Sequence, residues 1–133
     1  MRFTYSRPIR FGETDGAGVV YFSNLLSLCH EAYEAALADA GVNLGQFFGA
    51  GAIAVPIVHA DIDFRSPLRC GDLACVQVAP TGLAEHKFAI AYQIHHQDVL
   101  IATAQTLHCA IDPVTRQTVA LPADLQPWLR GSN

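Results

Sequence analysis

The sequence predicts an α+β fold in which one long helix lies against an antiparallel β-sheet. Three observations point there. Helical periodicity is confined to one run near residues 23–40, the segments after it alternate apolar and polar residues, and the order is strand, helix, then four strands. Strands alternating with helices would indicate a doubly wound parallel sheet instead.

Residues 3 to 11 read as the first strand, and a glycine-rich turn follows through Gly12, Gly16 and Gly18. From Ser23 to Ala40, the residues Leu25, Leu28, Cys29, Ala32 and Ala36 fall on one stripe of a 3.6-residue helix. Ser23 or Asn24 is expected to cap its start, and Gly41 to take the left-handed position after its end. Ala32 and Ala36 make the stripe small enough for a curved sheet to approach closely. After a looser stretch over 44–51, Val58, Ala60, Ile62 and Phe64 alternate with His59, Asp61, Asp63 and Arg65, which predicts a strand with one buried face. Pro67 and Gly71-Asp72 punctuate a turn, and further strands are expected at about 73–79, 87–96 and 99–111. Short connections favour antiparallel pairing. One helix covers one face of a sheet, so the other face or an edge is expected to meet another subunit.

A length of 133 residues suits one domain, so the whole chain, 1–133, is read as a single unit. The apolar fraction of 51% against 15% charged residues also favours surface buried between subunits. A net charge of −4 argues against a nucleic-acid partner. The segment Met1–Pro8 lacks the apolar core of a secretion signal, and no stretch approaches the roughly 18 apolar residues of a membrane helix. A cytoplasmic protein without a membrane partner is the expectation. Cys29, Cys70, Cys75 and Cys109 lack paired C-x-x-C spacing. A zinc site joining Cys29-His30 to His108-Cys109 is disfavoured, because neighbours on a strand point to opposite faces. Reduced structural thiols, with no metal and no cofactor, are expected.

The chemistry concentrates in Phe11-Gly12-Glu13-Thr14-Asp15-Gly16-Ala17-Gly18-Val19-Val20-Tyr21-Phe22-Ser23-Asn24. A carboxylate on such a turn, beside a helix start, lies near unpaired backbone N–H groups and the positive end of the helix dipole. Those donors can hold a developing oxyanion. Thioester hydrolysis needs that stabilisation and a nucleophile or base, whereas its thiolate leaving group needs little acid assistance. In the bland alternative Asp15 caps a turn and the glycines let the chain bend. A phosphate loop at Gly16-Ala17-Gly18 is disfavoured, since the third glycine of a dinucleotide fingerprint and the β-α-β alternation are missing.

The same segment resembles the signature of the 4-hydroxybenzoyl-CoA thioesterase family of hot-dog enzymes, over roughly residues 3 to 112. The resemblance implies a long helix wrapped by a curved sheet, acyl-CoA as substrate, Asp15 as the catalytic carboxylate and the Phe22 N–H as an oxyanion donor. Whether Asp15 attacks the carbonyl or activates water stays open. Gly18 and Tyr21, flanking the turn, would contact substrate. His30 shares a helix face with Glu34 and is read either as a polar helix flank or as a site residue; it stands where relatives often carry a carboxylate near the acyl group, which favours substrate positioning over metal binding. His59 is either a solvated or interfacial histidine or a site residue. Coenzyme A phosphates need basic partners, for which Arg65, Arg69, His86 and Lys87 are available, with surface roles equally open.

Two longer stretches, Val19–Glu34 and Pro56–Asp72, resemble the branch of the family acting on 1,4-dihydroxy-2-naphthoyl-CoA in cyanobacterial phylloquinone biosynthesis. The alternatives are another aromatic or short acyl-CoA, such as 4-hydroxybenzoyl-CoA, or a non-catalytic acyl-CoA-binding protein. A hot-dog dehydratase would be expected to place a histidine near the helix head, and the turn from Gly12 to Phe22 has none. Relatives assemble as dimers of dimers, which implies a homotetramer.

Overall fold

The computed structural model describes residues 3–49 and 51–131. Among them the chain runs β1 (Phe3–Pro8), α1 (Phe22–Asp39), a single helical turn α2 (Leu44–Phe47), β2 (Ile57–Phe64), β3 (Leu73–Ala84), β4 (Lys87–His96), β5 (Val99–Cys109) and α3 (Gln126–Gly131). One-turn 3-10 helices precede α1 and α3, at Phe11–Glu13 and Ala123–Leu125. The strands form one antiparallel sheet in the order β1-β3-β4-β5-β2, curved around α1. This is the hot-dog architecture.

α1 buries the expected stripe, Leu25, Leu28, Cys29, Ala32 and Ala36, and adds Tyr33 and Leu37. Opposite it the sheet contributes Val76 and Val78 from β3, Phe88, Ile90, Tyr92 and Ile94 from β4, and Ala102 and Ala104 from β5. Burial pushes the Cys29 thiol up to about 12, so it packs as a small apolar side chain. The helix ends as expected. Gly41 has φ +86°, and the Val42 N–H donates to the Leu37 carbonyl at 3.0 Å.

The helix start differs from expectation. α1 begins at Phe22, and neither Ser23 nor Asn24 is its N-cap. The Asn24 amide instead donates to the Glu13 carbonyl at 3.0 Å, committing that side chain to the preceding turn. β1 stops at Pro8, three residues early, because the Arg10 N–H is taken by the Glu13 carboxylate at 2.9 Å and the chain curls into the 3-10 turn. β3 runs on to Ala84, β5 ends at Cys109, and the C-terminal segment adds the unforeseen α3, which buries Trp128 edge-on to Phe88 at 5.4 Å.

The alternation read into β2 also needs correction. The pairing with β5 slips between Ile57 and His59, so Ile57 lies opposite His108 and Ala60 opposite Thr106. Val58 is the extra residue of a bulge, 56% exposed, and Ile57 takes the helix-facing place assigned to it by simple alternation. β2 is also the edge of the sheet and is exposed along nearly all its length.

His108 is a fully buried polar residue of this core. Its ring stacks on Phe88 at 4.5 Å, and its Nε2 lies 2.7 Å from the Thr106 hydroxyl. Desolvation, helped by the neighbouring His30, lowers its pKa from 6.5 to about 4. The native imidazole stays neutral where the unfolded one charges. Its stabilisation is complete above pH 6.5 and is lost as pH falls towards 4, by up to about 3 kcal/mol. Urea denaturation between pH 7 and 4 is expected to show this slope in the wild type and a flatter one in His108→Gln. Equal slopes in both would contradict it.

Candidate active site

The turn before α1 is closed by backbone bonds. The Asp15 N–H donates to the Val19 carbonyl and the Gly18 N–H to the Asp15 carbonyl, both at 2.9 Å. Gly18 has φ +79°, a left-handed conformation that a side chain would strain. The Asp15 Oδ1 accepts from the Ala17 N–H at 2.8 Å, which fixes the carboxylate on an exposed turn. Among the described residues nothing donates to its Oδ2. Phe22 opens α1 just beyond, so its N–H has no acceptor within the helix and stands at the positive end of the 18-residue dipole.

The turn is held at its base by Glu13. The Glu13 carbonyl accepts from the Tyr21 N–H at 2.9 Å and from the Asn24 side chain at 3.0 Å. Its carboxylate receives two bonds from Arg7, at 2.8 and 2.6 Å. The same guanidinium donates to Glu31 of α1 at 2.6 and 2.9 Å, and the Tyr5 hydroxyl adds a 3.0 Å bond to Glu31. Arg7 thus joins β1, the turn and the helix body. Its hydrogen bonds hold both carboxyls below their ordinary pKa against the opposing effect of partial burial. Sequence reading missed this clip. The available signal was Arg7 at the inward parity of Phe3 and Tyr5, where an apolar residue is the default.

Among the described residues, two cavities lie along the first half of the helix. One, of about 300 Å³, lies against the turn and is lined by Val19, Phe22, Leu25, Phe64 and Arg65 among others. Phe22 and Phe64 meet edge-on across it at 6.4 Å. The other, of about 220 Å³, is almost wholly apolar and is lined by Leu26, His30, Ile57, Ala60, Tyr92 and Thr106. Phe22, Leu26 and His30 follow one another at four-residue spacing on one helix face, which runs from the turn to this second cavity.

Asp15, Gly18, Tyr21, Phe22 and Arg65 are therefore brought to one end of the molecule, with Tyr21 exposed and packed on Phe22 at 4.8 Å. His30 lies two turns along α1 and bonds Glu34 through Nδ1 at 2.9 Å. His59 is on the outer face of the sheet, bonded to Asp61 at 2.9 Å, and is not brought to the turn within one chain. Lys87 pairs with Cys109, whereas the β2 end before Arg65 pairs with Ala102, so Lys87 and Arg65 lie at opposite ends of the sheet. Among the described residues no three His, Cys, Asp or Glu side chains gather to hold a metal ion.

A carboxylate turn heading a helix wrapped in a hot-dog sheet defines the thioesterase class of that fold, and comparison agrees. Residues 9–129 match the thioesterase-like superfamily, and the chain belongs to it. It is 50% identical over 132 residues to the 1,4-dihydroxy-2-naphthoyl-CoA hydrolase of Crocosphaera subtropica, covering 97% of this chain and 96% of that one. The hydrolase of the same name from Synechococcus elongatus is 47% identical over 129 residues, covering 96% and 95%. Among solved structures, a 1,4-dihydroxy-2-naphthoyl-CoA thioesterase from Synechocystis superposes with a TM-score of 0.93 at 39% identity, covering 98% of this chain and 96% of that one.

Removing the clip tests its part in the site. Arg7→Met leaves two partly buried carboxylates facing each other, and a loss of about 2 to 3 kcal/mol is expected, below the full cost of breaking a buried pair because Glu31 is partly solvated. Turnover should fall with it, since the turn loses its anchor. Denaturation and steady-state assays of the variant check both, and an unchanged midpoint would refute the role.

Proposed function

We propose that the protein hydrolyses an aromatic acyl-CoA thioester to the free acid and CoA, with 1,4-dihydroxy-2-naphthoyl-CoA as substrate in naphthoquinone (phylloquinone-type) biosynthesis. The observation that carries this is the turn that holds the Asp15 carboxylate and leads directly into the unpaired Phe22 N–H at the head of α1, beside apolar cavities along the helix. The names of the relatives supply the particular acyl group.

In this reading the thioester carbonyl accepts a hydrogen bond from the Phe22 N–H, and that bond strengthens as the oxygen gains charge. One such donor is worth about 3 to 4 kcal/mol in the transition state. Asp15 then acts in one of two ways. Attack by its carboxylate on the carbonyl carbon expels the CoA thiolate and leaves a mixed anhydride, which water cleaves. Alternatively the carboxylate takes a proton from a water that attacks directly. Both end in the carboxylic acid and the CoA thiol, and transfer of ¹⁸O from labelled water into Asp15 over repeated turnover would mark the anhydride route. Arg65, which lines the cavity against the turn, would be the basic partner of a CoA phosphate in this reading.

Asp15→Asn is expected to lower turnover by at least about a hundredfold while leaving the circular dichroism spectrum unchanged. Thiol release from 1,4-dihydroxy-2-naphthoyl-CoA, 4-hydroxybenzoyl-CoA and benzoyl-CoA, followed with a thiol-reactive dye, checks this. Full activity in the variant would sink the assignment, and no release from any ester by the wild type would favour a binding protein.

Self-association belongs to the same reading. β2 leaves a sheet edge uncovered and holds Ile57, Val58 and Phe64 at 42%, 56% and 50% exposure, which suits pairing with a second copy of the chain. A homotetramer built as a dimer of dimers is the assembly proposed. Sedimentation should give an oligomer, and a fully active monomer would contradict it.

A further inference from the structure

Besides His30 on the helix side, the second cavity has polar groups in its sheet wall, and their hydrogen bonds run in one direction. Thr106 is 5% exposed, Tyr92 2% and His108 0%. The Thr106 hydroxyl donates to the Tyr92 hydroxyl oxygen at 3.3 Å, so its oxygen accepts from elsewhere. His108 Nε2 lies 2.7 Å away. A neutral imidazole carries one N–H. Among the described residues His108 Nδ1 is buried without a partner. A proton on Nδ1 would be an orphaned buried donor, the rarer and costlier defect. The proton therefore belongs on Nε2, donating to Thr106, which donates to Tyr92. The chain ends at the Tyr92 hydroxyl hydrogen, and Tyr92 lines the cavity. Burial keeps this phenol protonated by pushing its pKa up. The Tyr33 hydroxyl is buried nearby, also without a partner among the described residues, close enough to Tyr92 to disfavour its ionisation.

The walls around this donor suit a flat apolar group. Leu26, Ile57 and Ala60 supply them, and the bulge at Val58 is what turns both Ile57 and Ala60 inward. A cavity of about 220 Å³ lies below the roughly 300–1,000 Å³ of sites for drug-sized ligands, so it fits a one- or two-ring group and not a long chain. Leu26 is one helical turn, about 6 Å, from Phe22. The cavity therefore lies on the helix face that leads away from the turn, one turn beyond Phe22.

We infer that this cavity is an acyl subsite for an aromatic ring bearing an oxygen substituent, with Tyr92 donating to that oxygen and Thr106 and His108 orienting the Tyr92 hydroxyl. The inference rests on the thioesterase reading for its placement of the acyl group and goes beyond it by assigning the recognition of the ring.

Neutral ligands test it without turnover. Titration calorimetry with 1-hydroxy-2-naphthamide and 2-naphthamide should show the wild type preferring the hydroxylated ring by about tenfold, the factor expected of one well-made hydrogen bond. Tyr92→Phe should abolish the preference and leave 2-naphthamide binding unchanged, and Thr106→Val should reduce it. Ala60→Phe, at an exposed edge-strand position and with its circular dichroism spectrum and sedimentation shown to match the wild type, should exclude both ligands. Equal binding of the two by the wild type, no binding of either, an intact preference in Tyr92→Phe, or full binding in Ala60→Phe overturns the subsite. Preference without hydrolysis of any CoA ester would overturn the thioesterase reading alone, and hydrolysis without preference the subsite alone.

Discussion

The burial of one face of α1 in the hollow of the sheet governs the rest of the molecule. Each large apolar side chain it removes from water contributes about 1.5 to 3 kcal/mol, and Leu25, Leu28, Tyr33 and Leu37 are all buried. Ala32 and Ala36 let strands approach where larger residues would hold them off. With that face committed, the start of the helix is fixed in space, and so is the turn that feeds it. A site built from a turn carboxylate and a helix N–H needs that fixity, because a misplacement of about 1 Å can cost a hundredfold in rate.

Packing alone does not hold the turn. Its residues from Thr14 to Val19 are partly or fully exposed, and an exposed glycine-rich turn has several conformations open to it. Arg7 removes that freedom by bonding Glu13 at the base of the turn and Glu31 on the helix. A buried arginine–carboxylate cluster taken as a whole is seldom a net source of stability over apolar side chains of the same volume. What the guanidinium provides is geometry, since its planar fork satisfies two carboxylates only in one mutual arrangement. The polar wall of the second cavity follows a similar logic, with His108 and Thr106 fixing the direction of a hydrogen bond inside an apolar core.

The parts legible in the sequence are those whose physics is local. The stripe of α1, the left-handed Gly41 and the strand periods of β4 and β5 each declare themselves within a dozen residues. The turn from Phe11 to Asn24 does so within fourteen. The helix cap was misjudged because Asn24 is a good capping residue with a better partner in Glu13, a contact made eleven positions away. The β2 bulge was invisible because Ile57 and Val58 are both apolar, and either satisfies an alternating pattern. Arg7 and Glu31 are 24 residues apart, and Tyr92 and Thr106 meet only because β4 and β5 pair in one register. His59 and Lys87 carry suitable chemistry, but strand parity and register send them away from the turn.

That division has a consequence for how chemistry and specificity are distributed. The groups proposed to act on a thioester come from one contiguous segment whose geometry is set by the helix head. The groups lining the proposed ring subsite come from α1, β2, β4 and β5, joined only by the fold. β2 is both a wall of that cavity and the uncovered edge of the sheet, with Ile57 and Ala60 serving the first role and the unpaired backbone the second. Whatever pairs with that edge also fixes the position of Ile57 and Ala60. In the proposed reading assembly and ring recognition meet on a single strand, whose far end also reaches the head of α1 through Phe64 and Phe22.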